Sequence, residues 1–348
     1  MEGWRILWKL AALSFAVPSW PHGPELKHIG IIHAHTSHLK LKPKALHVVE
    51  DLLRARDDGV HISIVNSILG GPADHNSIGT VITSLIFSGV GCRYDPTEEV
   101  TQIAALTIPA SSSGLGGVDL LPERFKVCTN TVYERGVYEQ RTPSAEKKKS
   151  KSSKKPQVQP PEVPLWASCV VPIGAITGPH LDYCGCSQLI QHIQGRKLWL
   201  CWPPTTHNLD IYLRKRLSGN LTLSTEDAID ILEDMELLLL DDKQTCFTLP
   251  GGTIHAVLTF TASCHTRLKL WRMEDLEVAK EMTKIQSENM DQRATLDQST
   301  FGSCQEYFED LKGELENWGE LGMKNGENNE KIRQWILDSK EKLESYNI

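Results

Sequence analysis

The sequence predicts a mainly β core of the sandwich or jelly-roll kind, preceded by an α/β portion and followed by acidic helices. Three observations carry that prediction. Between residues 166 and 271, short apolar runs with β-branched residues recur at close spacing, bounded by Gly and Pro, as many short strands require. Before residue 142, strand-like and helix-like periods follow one another. Hydrophobic residues make up 40% of the 348 and charged residues 23%, which fits a packed globular protein and excludes a fibre, wholesale disorder or a multi-span membrane protein.

Residues 1–24 form an N-terminal segment of their own. Residues 6–17 are apolar enough to suggest a signal peptide, but Lys9 interrupts them and Pro18 and Trp20 stand where a cleavage site needs small residues, so cleavage is not expected. The α/β portion, 25–141, opens on HIGIIHAH (28–35), read as a strand. A helix follows over 45–56, with apolar residues at 45, 48, 49, 52 and 53, then a strand over 61–69, a helix over 77–88 and strands over 100–109 and 125–138. Residues 142–164, TPSAEKKKSKSSKKPQVQPPEVP, have almost nothing to bury and read as a basic, disordered, partly polyproline linker. In the β core, 165–275, strands are expected over 166–176, 189–193, 197–202, 237–240, 245–249, 256–261 and 266–271. Amphipathic stretches at 206–217 and 224–235 interrupt them, the second opened by a capping-box pattern at Ser224. Residues 276–348 are expected to form two or three acidic helices that pack on the core or hold a partner.

The net charge of −7 is a sum of opposites, since residues 274–348 hold 18 acidic and 9 basic residues, a local −9, and the first 273 therefore carry +2. Lys147 to Lys155 contains six lysines in nine positions, a pattern that serves as a nuclear localisation signal, a nucleic-acid tether or simply a solvated linker. It favours a nuclear over a cytoplasmic location. Nine dispersed cysteines without a CxxC pair argue against a disulfide framework or zinc ribbon and for a reducing compartment. No run of about 18 apolar residues exists, so no membrane partner is expected. Nothing in the sequence sets an oligomeric state.

One constellation carries chemistry. His180 and Asp182, in GPHLDY, sit two apart at the end of an expected strand, where a period of two places both side chains on one face. His255, in LPGGTIHAV, opens another strand. Two imidazoles and a carboxylate occupy one face of an octahedral metal and leave three positions open, the arrangement of non-haem Fe(II) oxygenases. Each signal is weak alone, and context strengthens it. Lys197, in GRKLWLCWPPT, offers a cation for the far end of a dicarboxylate cosubstrate, Thr177 a hydroxyl and Gln188 an amide.

The order T-x-x-H-x-D, G-x-K-x-W-x-x-x-P-P and P-x-x-x-x-H before a strand resembles the JmjC domain of 2-oxoglutarate-dependent Fe(II) oxygenases, and is most similar to fungal JmjC-containing proteins. The resemblance covers residues 166 to about 275. It implies a double-stranded β-helix (cupin-like) fold with a helical insertion between the second and third ligands. It implies Fe(II) at His180, Asp182 and His255, 2-oxoglutarate held by Lys197 with Thr177 and Gln188 assisting, and O2 as the second cosubstrate. The implied reaction is hydroxylation or N-demethylation of a protein or peptide side chain, with release of succinate and CO2. Hydroxylation is favoured, because the chain lacks the zinc-finger and chromatin-reader patterns that often accompany histone demethylases; chromatin association stays open.

Other readings compete with each residue. The trio could be a satisfied hydrogen-bonding group in a catalytically silent cupin-like scaffold, and Lys197 a solvated strand residue. Trp199 and Trp202 read as core rather than substrate platform, and Pro203 and Pro204 as strand terminators. His28, His33, His35 and His38 form a second histidine cluster, but no carboxylate or cysteine accompanies them. Cys184 and Cys186 share the parity of the ligand pair and either line the pocket or serve as small buried apolar residues.

Overall fold

The computed structural model describes residues 5–10, 29–32, 44–57, 63–66, 103–109, 131–133, 166–182, 185–217, 223–241, 245–293, 315–316, 318–319, 321–322 and 329–345. From the N-terminus the elements are β1 (Gly30–Ile32), α1 (Ala45–Asp57), β2 (Ser63–Asn66), β3 (Ile103–Pro109), β4 (Thr131–Tyr133), β5 (Trp166–Val171), β6 (Ile176–His180), β7 (Ser187–Gln194) and β8 (Lys197–Trp202). Then come α2 (Thr206–Leu217), α3 (Thr225–Ile231), β9 (Glu236–Leu240), β10 (Thr245–Leu249), β11 (Ile254–Thr259), β12 (Ser263–Arg272), α4 (Leu276–Arg293) and α5 (Asn329–Ser345). The expected helix at 77–88, the linker at 142–164 with its lysine island, His28, His33, His35, His38 and Cys184 lie outside the described residues.

The strands form two antiparallel sheets. The larger runs β1-β10-β7-β12-β5-β3-β2 with β4 also on β12, and the smaller runs β6-β11-β8-β9. Their inner faces meet in one apolar cluster: Ile190, Phe247 and Leu249 from the larger sheet pack with Trp199, Cys201, Leu238, Leu240 and Val257 from the smaller. This is a mainly antiparallel sandwich, in which strands buried on one face alternate inward and outward side chains. The α/β portion contributes strands to it directly, since β1 pairs with β10 and β3 with β5. Glu236 Oε2 accepts a hydrogen bond from the Ile29 backbone N–H at 3.1 Å, tying the entry to β1 to the smaller sheet.

The outer faces are covered by helices. Helix α1 buries Val48, Val49, Leu52 and Ala55 against Ala105, Ile108, Val170 and Cys264 of the larger sheet. Leu209, Leu213, Ala228, Ile229, Met282 and Ile285 from α2, α3 and α4 cover Leu200, Trp202, Ile254, Ala256 and Leu258 of the smaller one. Ile6 and Leu10, from a helical stretch at 5–10, join the same cluster, and Lys9 pairs with Asp230 there. Ser224 caps α3 by accepting from the Asp227 N–H at 3.1 Å, as the capping-box reading expects. The acidic C-terminal region packs too: Trp318, Leu321, Ile332 and Ile336 meet Trp271, Leu276 and Ala279.

One expected strand divides. Residues 166–176 read as a single run, yet the chain leaves the larger sheet after Val171, turns through Pro172 and Gly174, and enters the smaller sheet as β6. Proline cannot continue a ladder as donor, and Gly174 takes φ 76°, a conformation other residues avoid.

Helix α4 lies so close to the loop after Asp182 that only glycine fits beneath it. A Cβ on Gly185, whose φ is +73°, would stand 2.4 Å from the Ala279 Cβ. Gly185→Ala is therefore expected to destabilise the protein by about 2–4 kcal/mol, through backbone strain and overlap together. Gly178→Ala, which meets nothing within 4 Å, should stay within about 1 kcal/mol of the parent. Urea unfolding of the two variants checks both.

Candidate metal centre

Strand β6 is an edge strand of the smaller sheet and pairs with β11, with His180 opposite His255 and Thr177 opposite Val257. Two residues of β6, Gly178 and Pro179, therefore face the single residue Ala256. Such a bulge shifts the alternation by one, so Thr177 and His180 fall on the same inner face although three apart. Proline is tolerated there because the strand is at the edge. Asp182 does not lie on the strand, as a simple period of two expects. β6 ends at His180, and the carboxylate is carried by the segment that follows.

The three side chains nonetheless meet. One ligand atom from each of His180, Asp182 and His255 lies within 4.8 Å of the other two. His255 Nε2 stands 3.3 Å from Asp182 Oδ2, and the two imidazole centroids are 4.1 Å apart. Ligands about 2.1 Å from one ion and at right angles stand about 3 Å apart, so this cluster is close to a coordinating set. His180 Nδ1 faces the Gly178 carbonyl at 2.9 Å, and His255 Nδ1 faces the Thr253 carbonyl at 3.2 Å. A carbonyl only accepts, so each Nδ1 donates to it, which turns the Nε2 of each ring toward the cluster.

Electrostatics favour the same use. Burial, reinforced by the neighbouring His255, pushes His180 down to about 4, which keeps it neutral at ordinary pH. Burial alone would raise the Asp182 carboxyl, but the hydrogen bond from His255 and the charges of His255 and Arg267 outweigh it and hold the group well below its usual range. The result is a neutral imidazole beside an ionised carboxylate.

Lys197, at the start of β8, shares the inner face with Trp199 and Cys201 and is 1% exposed. Its Nζ lies 3.0 Å from Nδ1 of His265, on β12. Burial lowers Lys197 to about 8, and burial next to that ammonium holds His265 well below 6.5, so the neutral imidazole accepts and Lys197 donates. Among the described residues no carboxylate pairs with Lys197. Trp199 joins the two ends of the interior: its ring is stacked 5.4 Å from His255 and meets His265 edge-on at 5.9 Å. Trp202 points the other way, into the helix-covered core, and Cys186 packs with Trp271 and Leu276 rather than lining the site.

Gln188 is buried on the inner face of β7, and its Nε2 has no hydrogen-bond partner. It pairs with Lys269, whereas His265 pairs with His192, so two ladder steps separate Gln188 from the Lys197 contact. Thr177 is exposed on the same face as His180.

Sequence reasoning missed three residues here: His265, Arg267 and Asp275. In SCHTRLKLWR the polar His265, Arg267 and Lys269 alternate with Thr266, Leu268 and Leu270, a period of two that was visible, but charged residues on a strand ordinarily mark the solvent face. Here they face inward. Asp275 is 4% exposed and accepts from Gly251 N at 3.2 Å, from Ser187 Oγ at 2.6 Å and from Arg272 at 2.9 and 3.0 Å. It thus ties the loop before His255 to the loop after Asp182.

No family model matches the chain. A stretch of 118 residues is 34% identical to JmjC domain-containing histone demethylation protein 1 of Saccharomyces cerevisiae (strain ATCC 204508 / S288c), over 32% of this chain and 22% of that protein. The chain therefore spans about a fifth of that relative's length and is similar to JmjC-like proteins, fungal members among them. No helix among the described residues is long and apolar enough to cross a membrane.

Two outcomes follow from this geometry. Asp275→Asn removes the buried carboxylate that Arg272, Ser187 and the Gly251 N–H share, leaving Arg272 with Glu274, and should cost about 2 kcal/mol in urea unfolding while loosening the loops before His255 and after Asp182. His180 and His265 are lowered in the folded state, so the unfolded chain binds protons first. Their contribution to stability is full above about pH 6.5 and is lost as pH falls from there toward 4. Urea midpoints at pH 7 and pH 5 should show that decline.

Proposed function

We propose that this chain is an Fe(II)- and 2-oxoglutarate-dependent dioxygenase on a double-stranded β-helix core, oxidising a side chain of a protein or peptide substrate. One observation carries the reading: a two-histidine, one-carboxylate cluster shares the space between the sheets with a buried ammonium that pairs with no carboxylate among the described residues. A desolvated ammonium paired only with a neutral imidazole is costly to bury, and an incoming carboxylate offsets that cost. The same interior thus suits both ends of a short dicarboxylate, with Trp199 spanning the distance between them.

His180, Asp182 and His255 would hold the metal on one face, which leaves three positions for a chelating keto acid and O2. Iron there supplies the activation of O2 that no side chain can provide. The rest belongs to the chain. Lys197 binds the distal carboxylate, His265 keeps its ammonium in place by accepting one of its three protons, and Thr177 can donate a hydroxyl from the His180 face. Trp199 closes the wall between the two ends and excludes water. Gln188 serves at the level of Lys269, where its unsatisfied amide N–H can meet a bound ligand. Release of succinate and CO2 would accompany each turnover, and the product is an alcohol, or a demethylated amine if the attacked carbon is an N-methyl. Similarity to a histone demethylation protein supports a protein substrate and a chromatin setting, and the Lys147 to Lys155 island supports a nuclear location.

Under anaerobic conditions, Fe(II) with 2-oxoglutarate should give a weak visible charge-transfer band that is lost in His180→Ala and Asp182→Ala. With oxygen and a peptide substrate, succinate should form. A chain that binds no Fe(II), or forms no succinate with any peptide pool, is the silent scaffold instead. Lys197→Ala should weaken 2-oxoglutarate binding at least about tenfold, the loss of one charge-assisted contact. The ammonium must be charged to hold the carboxylate, and in the free protein it loses its proton near pH 8. Affinity for 2-oxoglutarate should therefore fall as pH rises above about 8, by up to about tenfold per pH unit. Titrating the band between pH 7 and pH 9.5 checks the sign.

A further inference from the structure

The two oxygens of Asp182 have different partners. Oδ2 faces His255 Nε2 at 3.3 Å, whereas Oδ1 accepts from Arg267 Nη1 at 3.2 Å. Arg267 is not a mobile surface cation. It sits on β12, hydrogen-bonded to β7 on one side and β5 on the other, opposite Ile190 and Ala167, and its side chain is 14% exposed. The guanidinium therefore reaches Asp182 from the middle of the larger sheet, while both histidines belong to the smaller one.

We infer that Arg267 is a positioning residue that holds Asp182 to a single metal-facing oxygen and thereby keeps the third open position of the metal free. This rests on the metal reading given above. A carboxylate binds a cation through one oxygen or through both. With two imidazoles and a one-oxygen carboxylate, three of six octahedral positions are filled; with a two-oxygen carboxylate, four are. A keto acid takes two positions and O2 takes one, so a two-oxygen Asp182 would leave the reaction one position short. Occupation of Oδ1 by Nη1 prevents that. The same guanidinium places a positive charge beside the metal, which opposes cation binding. Arg267 thus weakens the metal's hold in exchange for an open coordination sphere.

The two effects have opposite signs, and a merely structural role would not produce them together. Mn(II) affinity, read by electron paramagnetic resonance, and 2-oxoglutarate affinity of the Mn(II)-loaded protein are measured for the full chain and for Arg267→Gln and Arg267→Lys. Arg267→Gln should bind Mn(II) about tenfold tighter and 2-oxoglutarate about tenfold weaker, while Arg267→Lys, which keeps the charge, should bind Mn(II) within about threefold of the parent. If both affinities of Arg267→Gln fall together, or neither moves, the inference is overturned. A crystal structure of the Mn(II)-loaded parent decides the matter without any variant: Oδ2 alone on the metal, with Nη1 on Oδ1, supports it, and two-oxygen coordination by Asp182 sinks it. Absence of Mn(II) binding by the parent overturns the metal reading and this inference with it. Mn(II) binding by the parent without the opposed shifts overturns this inference alone.

Discussion

The site depends on one register, His180 opposite His255 across β6 and β11. A single-residue slip would send every inward side chain of β6 outward and carry His180 away from His255. The bulge at Gly178 and Pro179 adds Thr177 to the same face, and the pairing of β11 with β8 adds Trp199 and Lys197 through Val257 and Thr259. One strand, β11, thus aligns the metal end with the ammonium end. Its own face is buried throughout, and the helices outside leave it little room to move.

The interior is polar where a sandwich of this size is ordinarily apolar. Lys197, His265, Arg267, Asp182, His180 and His255 lie between the sheets, and Ile190, Phe247, Leu238 and Val257 lie on the same inner faces. Buried charge is tolerated when it is paired and hydrogen-bonded. Asp182 meets that condition through His255 and Arg267. Lys197 meets it through the neutral imidazole of His265.

A second ion pair works behind the site. Asp275 and Arg272 bind Ser187 and the Gly251 backbone, Gly185 and Gly252 let α4 approach these loops closely, and Gly251 lets its loop meet the Gly185 backbone. The acidic C-terminal region thereby takes part in holding Asp182 and His255, at least through its first helix. The sequence leaves two roles for these acidic helices, packing on the core or holding a partner. Hydrophobic contact decides for packing, since Ala279, Met282 and Ile285 are buried against both sheet and loops.

Most strands of the core were legible because their β-branched, Gly- and Pro-bounded runs record a local preference: β8 and β10 occupy the expected residues, and β7, β9, β11 and β12 differ only at their ends. Ser224 as a helix cap, and His180, Asp182 and His255 as side chains that come together, were legible too, because spacing and residue chemistry are properties of the chain. What only the tertiary structure decided depends on partners far away in sequence. The split of residues 166–176 between two sheets and the inward turn of His265 and Arg267 are of this kind. So is the Asp275 clasp, and so is the level at which Gln188 sits. A strand's alternation states that two faces differ, but not which is buried, and that choice is made only when a second sheet arrives.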